Sequence, residues 1–188
     1  MKNLVIAFLV CFISSASLAQ TWSLDKLHST LRFSVVHLMV SEQEGSFKSF
    51  TSNISSAKDD FSDAVIDLTA DVNSIFTDNE GRDEHLKKPD YFDAAKYNTL
   101  TFKSKSFTKV EGKKYILVGD LTIKGITKTV ELDVTYNGTI THPKNSKKIS
   151  GFKIVGVIKR SDFGIGPLNS STLGDEVTLI ANTEFIKN

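Results

Sequence analysis

Alternation with a period of two is the feature that most limits what this chain can become. In VIDLTADV (65–72), Ile66, Leu68, Ala70 and Val72 fall on one side and Asp67, Thr69 and Asp71 on the other. TVELDVTY (129–136) repeats the pattern, with Val130, Leu132, Val134 and Tyr136 opposed to Glu131, Asp133 and Thr135. A strand sorts such side chains into one buried and one wetted face, whereas a helix scatters them around its axis. LRFSVV, LTFKS, YILVGDLTI, GFKIVGVI and VTLIAN read as strands with looser alternation. Turn signals at Glu111–Gly112, Lys124–Gly125 and Asn137–Gly138 punctuate the second half. The reading gives about eight strands, near 22–40, 45–56, 63–75, 98–109, 113–124, 127–138, 149–160 and 175–186, with links short enough for antiparallel hairpins. The expected fold is all-β and antiparallel, either an eight-stranded barrel or a two-sheet sandwich. Closure removes exposed edges, and a barrel of this size is wide enough for one small ligand.

The inward faces carry a second clue. The expected sets are Ile66/Leu68/Ala70/Val72, Leu100/Phe102/Ser104, Tyr115/Leu117/Gly119/Leu121, Phe152/Ile154/Gly156/Ile158 and Val177/Leu179/Ala181. Each holds a small residue among large ones. If the small residues align, they leave volume on the barrel axis. If they mark bends or simply interdigitate with large neighbours, they do not. Alternation alone leaves both readings open.

The first nineteen residues read as something other than fold. MKNLVIAFLVCFISSASLA has a basic start at Lys2, an apolar run from Leu4 to Ile13, and small residues at Ser17 and Ala19. This is the pattern of a secretory signal cleaved near Ala19, leaving one domain over 20–188 in a periplasmic or secreted location. The run is too short for a transmembrane helix, and no later run is long enough. The single cysteine, Cys11, lies inside that segment. The mature chain is therefore expected to hold no disulfide, no thiol nucleophile and no zinc–thiolate site. Loss of Lys2 takes the net charge from +1 to about 0, which gives no bias toward nucleic acid. The lysine-rich PKNSKK (143–148) reads as a solvated hairpin tip.

One connection is long. Between the strands ending near Ile75 and starting near Asn98 lies RDEHLKKPDYFD (82–93), and long links in compact β proteins are often functional. Thr77-Asp-Asn-Glu80 fits a capping box with Thr77 as the N-cap, Pro89 ends the expected helix, and Tyr91 and Phe92 supply an anchor. Arg82, Asp83 and His85 look like a catalytic group, but helical spacing sends Arg82 toward Leu86 and sets Asp83 and His85 apart. No nucleophile motif accompanies them. Of the four histidines, His28 and His37 stand nine residues apart in one expected strand, roughly 30 Å when extended, so they cannot share an ion. The residues point to no catalytic group, no metal site and no cofactor. Charge complementarity suggests that Arg160 and Asp162, in KRSDFGIGP (159–167), pair with Asp83 and Arg82 across a barrel mouth.

Taken in order, LDKLHSTLRFSVVHLMVSEQEGSFKSF, DVNSIFTDNEGRDEHLKKPDYFDAAKYNTLTFKS, VGDLTIKGITKTVELDV, GFKIVGVIKRSDFGIG and LGDEVTL resemble the YceI-like family of secreted polyisoprenoid-binding proteins, over residues 22 to about 186. The matching pieces are His28-Ser29, His37, Gly45-x-Phe47, Arg82-Asp-x-His-Leu86, LTIKG and Arg160-Ser-Asp-Phe-Gly164. Where a Gly is usual after His37, this chain has Leu38 and Met39, so the loop beyond that histidine is expected to differ in shape. The resemblance implies a lipocalin-like, eight-stranded antiparallel barrel with a short helix closing one end. It implies an apolar channel holding a long-chain isoprenoid or other amphiphilic lipid, for transport, storage or stress protection. On that basis the channel is assigned to Phe33, Val35, Leu68, Phe102, Leu117, Gly119, Leu132, Ile154, Gly156 and Leu179. Arg82, His85 and Arg160 are assigned to a polar rim or head-group site. Two alternatives remain open: a lipid-acting hydrolase or isomerase using His37 or His85, and a ligand-free sandwich that binds a protein partner. A homodimer is also left open.

Overall fold

A computed structural model describes residues 19–168 and 171–188. Apart from Ala19, the expected signal segment lies outside the described residues. The strands are β1 (Gln20–Leu24), β2 (Thr30–His37), β3 (Ser41–Phe47), β4 (Phe50–Ser56), β5 (Val65–Asp71), β6 (Ile75–Phe76), β7 (Thr99–Glu111), β8 (Lys114–Ile123), β9 (Ile126–Thr141), β10 (Lys148–Lys159) and β11 (Leu173–Lys187), with helix α1 (Glu80–Leu86) between β6 and β7. Pairing runs β1-β4-β5-β7-β8-β9-β10-β11 and returns from β11 to β1, which closes an eight-stranded antiparallel barrel. Strands β2, β3 and β6 pair in turn beyond β11 and lengthen the wall on that side.

Three of the expected strands are broken staves. The stretch 22–40 divides into β1 and β2 because Asp25 turns the chain: its carboxylate accepts the Leu27 N–H at 3.0 Å and meets His28 Nδ1 at 2.9 Å. His28 and His37 therefore belong to different strands. The stretch 45–56 divides into β3 and β4 at Lys48–Ser49, whose N–H groups donate to Ser74 O and Ser74 Oγ. The stretch 63–75 divides into β5, a short 3₁₀ turn at Val72–Ser74 and β6. Each break spends its hydrogen bonds outside the ladder, on a local turn at Asp25 and Asp71 and on Ser74 at Lys48–Ser49, so alternation survives on either side while the stave changes direction.

One end of the barrel is filled. The loop 57–64 carries Phe61 inward, with ring centroids 5.2 Å from Trp22, 5.2 Å from Phe152 and 5.5 Å from Tyr136. Tyr115 Oη donates to Asp60 O at 2.7 Å, and Ser56 Oγ donates to Asp63 Oδ1 at 2.5 Å. Burial of an aromatic of this size contributes about 1.5–3 kcal/mol, which offsets the ordering of an otherwise polar loop. The other end is built differently. Ladder pairing between β5 and β7 stops at Asp71 and Thr99, followed by one bond from Val72 N to Asn98 O. β6 has no ladder to β7 among the described residues. Helix α1 and the segment up to Asn98 lie over this end, with Phe92 edge-on to Phe47 at 5.9 Å.

Candidate functional site

Strand alternation directs one face of every stave to the barrel axis, and that face does not fill it. In β8, Tyr115, Leu117, Gly119, Leu121 and Ile123 are buried while the intervening residues are partly wet. An apolar cavity of about 590 Å³ remains, within the range of about 300–1,000 Å³ usual for small-molecule pockets. Phe33, Val35, Leu68, Phe102, Leu117, Leu132, Ile154 and Leu179 stand on its wall. Phe33, Leu68, Ile154 and Leu179 are only partly buried although they point inward, because their free surface faces this void.

Gly119 and Gly156 do not stand on the wall, contrary to their assignment to the channel. A Cβ at Gly119 would collide with the Phe102 ring and the Lys103 carbonyl, and one at Gly156 with a Leu132 methyl. Phe33 covers Gly45 in the same way. The glycines therefore act one step back from the lumen. Lacking a side chain, each lets a large neighbour on the adjacent strand lie flat against the sheet, and the axis stays open.

The mouth lies between the β2–β3 extension and α1, where His37, Gln43, Glu44, Thr77, Arg82, His85 and Leu173 join the lining. The helix begins at Asn79, not Thr77: Asn79 Oδ1 accepts the Arg82 N–H at 2.9 Å. Thr77 is diverted because Asp83 takes both its N–H (2.8 Å) and its hydroxyl (2.6 Å). A buried carboxylate that collects two donors outcompetes a solvent-facing cap. Arg82 in turn donates to Thr77 Oγ1, Thr77 O and Gln43 Oε1 at 2.8, 2.6 and 2.6 Å, which ties α1 to β3.

Arg160, 4 % exposed, donates to the carbonyls of Gly174, Ile165, Pro167 and Leu173 at 2.8–3.1 Å. The anticipated exchange of charges between Arg82 or Asp83 and Arg160 or Asp162 does not occur. Asp83 is spent on Thr77, and Arg160 on the carbonyls of the rim loop and of the irregular start of β11. Beside it, Asp175 accepts the Ser161 N–H and hydroxyl, and the hydroxyl bond is the main reason its carboxyl is held below the usual range. His85 lies on the outer rim, stacked edge-on to Tyr91 at 4.8 Å with Nε2 3.5 Å from Asp90. His37 also reaches the lining, from the last residue of β2.

Away from the cavity, Asp25, His28 and Glu184 bring ligand-type atoms within 4.8 Å of one another. The imidazole and the Asp25 carboxylate already bind each other. That bond raises the His28 pKa and is the main cause of the lowered Asp25 pKa. The site contains members that alternation did not reveal: Gln43 from β3, Leu86 from α1, and Thr77 and Tyr91 from the segments flanking that helix. Phe61, the lone aromatic in KDDFSDA (58–64), carried the sequence signal for the floor, as an apolar ring in a polar loop.

Three comparisons bear on this arrangement. Residues 22–185 match the family described as YceI-like domain. A UPF0312 protein of Staphylococcus aureus strain N315 is 38 % identical over 169 residues, covering 87 % of this chain and 96 % of that protein. Among solved structures, a Campylobacter jejuni YceI protein is 35 % identical with a TM-score of 0.73, covering 81 % of this chain and 90 % of that one. Burkholderia cenocepacia BcnA is 28 % identical with a TM-score of 0.76, covering 86 % and 98 %. A polyisoprenoid binding domain from Saccharophagus degradans, described as implicated in plant cell wall breakdown, shares the fold at a TM-score of 0.65 and 14 % identity, covering 89 % and 98 %.

Proposed function

Because the chain belongs to the YceI-like family, we propose that it is a carrier that holds the tail of a long isoprenoid or acyl-type lipid in its barrel. The observation that carries this reading is the cavity itself, open at one end and lined mostly by aliphatic and aromatic side chains, with polar residues gathered at the mouth. At about 30 Å³ per heavy atom, the share that a water takes in the liquid, the cavity holds at least on the order of twenty heavy atoms. A tail gains about 0.8 kcal/mol for each CH₂ taken out of water, so ten buried carbons supply about 8 kcal/mol before ordering costs. The name given to the Saccharophagus domain agrees with this ligand class. Arg82, with N–H groups beyond the three it spends on Thr77 and Gln43, is the candidate contact for a polar or phosphate head. Arg160 is too fully bonded to serve first in that role.

Native mass spectrometry after gentle purification tests the reading. A co-purifying hydrophobic adduct, displaced by added polyisoprenyl phosphate, supports a carrier. A protein that is empty in repeated preparations and takes up neither polyisoprenyl phosphate nor fatty acid excludes it. The N-terminal signal pattern supports a periplasmic or secreted location, where the proposed role is transport, storage or stress protection. N-terminal sequencing of the chain recovered from that compartment should then begin at Gln20.

A further inference from the structure

The hairpin joining β2 to β3 is built against its own preference. Val40 N donates to His37 O at 3.1 Å, so Leu38 and Met39 are the two central residues of a tight turn. Both have left-handed backbone, at φ 52° and 58°. Hairpins of this kind favour Asn-Gly or Asp-Gly at those positions, since a β-carbon there crowds the backbone. The β8–β9 hairpin of the same barrel keeps the favoured glycine at its second position, with Gly125 (φ 74°) after Lys124 (φ 52°). At the β2–β3 tip, two bulky apolar side chains take the strained positions and a third follows. Leu38, Met39 and Val40 are 50, 74 and 83 % exposed. The fold neither needs nor favours these side chains, so their apolar surface is available only to something outside the chain.

Their place identifies the occupant. His37, one residue before the tip, lines the cavity, and Leu38 N donates to Thr172 O at 2.8 Å, beside the cavity-lining Leu173. Arg160 binds the carbonyls of both Pro167 and Leu173, which draws the rim segment carrying Leu168, 64 % exposed, to the same side. Three clustered side chains are far short of the roughly 800 Å² per partner that a stable protein interface needs. They do suit shallow insertion into the boundary between head groups and acyl chains, about 5–10 Å deep. The charges nearest the tip along the chain are Glu42 and Glu44 on β3, so the attraction is apolar and not a response to anionic lipid.

We propose that Leu38, Met39 and Val40 dock the barrel on a lipid bilayer and hold the cavity mouth at the surface from which a tail enters. This rests on the carrier reading, and its test separates the two. Sedimentation with neutral phosphatidylcholine vesicles should carry down the wild-type protein, with little change at high salt. The triple variant Leu38→Asn, Met39→Gly, Val40→Ser gives the turn its favoured residues, so its melting temperature should hold or rise while vesicle partitioning falls about tenfold or more. Its affinity for an anthroyloxy-labelled fatty acid in vesicle-free solution should be unchanged. Absence of wild-type partitioning, or equal partitioning of the variant, overturns the proposal. So does light scattering that shows a wild-type dimer lost in the variant without vesicle binding, because the tip would then contact a second copy. Vesicle partitioning that persists while neither protein binds the fatty acid or polyisoprenyl phosphate leaves docking standing and removes the carrier reading instead.

Discussion

At the scale of single residues, the rim and the lumen follow different rules. Arg160 is a buried cation whose guanidinium collects four carbonyls, so its removal leaves one buried and three part-buried acceptors without their donor. Arg160→Met should lower stability by about 3 kcal/mol or more, read by urea denaturation, and Arg160→Lys should rescue little because one ammonium cannot span the same fan. Ile154 is partly buried and stands on the cavity wall. Ile154→Trp should therefore cost less than about 1.5 kcal/mol of stability yet weaken tail binding at least tenfold, measured by titration with a fluorescent fatty acid. Equal tail affinity in the variant would show that the tail lies elsewhere. Residues on alternating strands were legible in the chain itself. Leu68, Phe102, Leu117, Ile154 and Leu179 reach the wall because period two fixes their face. The role of Gly119 and Gly156 was not legible, since it depends on which large side chain lies on the neighbouring strand.

At the scale of elements, the two ends of the barrel are held by short polar devices. The floor loop depends on Asp63, whose carboxylate takes the Ser56 hydroxyl and the Ala57 and Lys58 N–H groups. The Ser56 bond is the main cause of its lowered pKa. A carboxylate with a folded pKa below its unfolded one stabilises the fold above the unfolded value and loses that contribution as pH falls through the folded one. Trp22 is the single tryptophan and packs on Phe61, so its fluorescence reads this loop. Emission should hold steady down to about pH 4 and shift to the red below it. Asp63→Asn should be less stable at neutral pH and less responsive to acid; an unchanged acid response would assign the transition to other carboxylates. The helix was legible from the chain, but its cap was not. Thr77 and Asn79 compete for one N-cap, and Asp83 decides the outcome from within the fold. The three broken staves were hidden for a related reason: alternation continues across a turn, and the break shows only in where the backbone bonds go, locally at Asp25 and Asp71 and to distant Ser74 at Lys48–Ser49.

At the scale of the whole molecule, the barrel is shut by the pairing of β1 with β11, in which Trp22, Ser23 and Leu24 face Lys187, Ile186 and Phe185. No disulfide is available to do this work, because Cys11 is the only cysteine. Truncation before Thr183 removes those partners and the buried Phe185 ring, and should abolish cooperative thermal unfolding, followed by circular dichroism. Addition of dithiothreitol to the intact protein should leave its melting temperature unchanged. A truncated chain that still melts cooperatively would mean that the β4–β11 arc is stable as an open sheet. The closing pairing also sets an order in time. While residues 185–187 are still inside the ribosome, the wall has a gap and the cavity does not exist. On the carrier proposal, a chain whose residues 185–187 are still to emerge holds no tail, and loading follows closure of the wall.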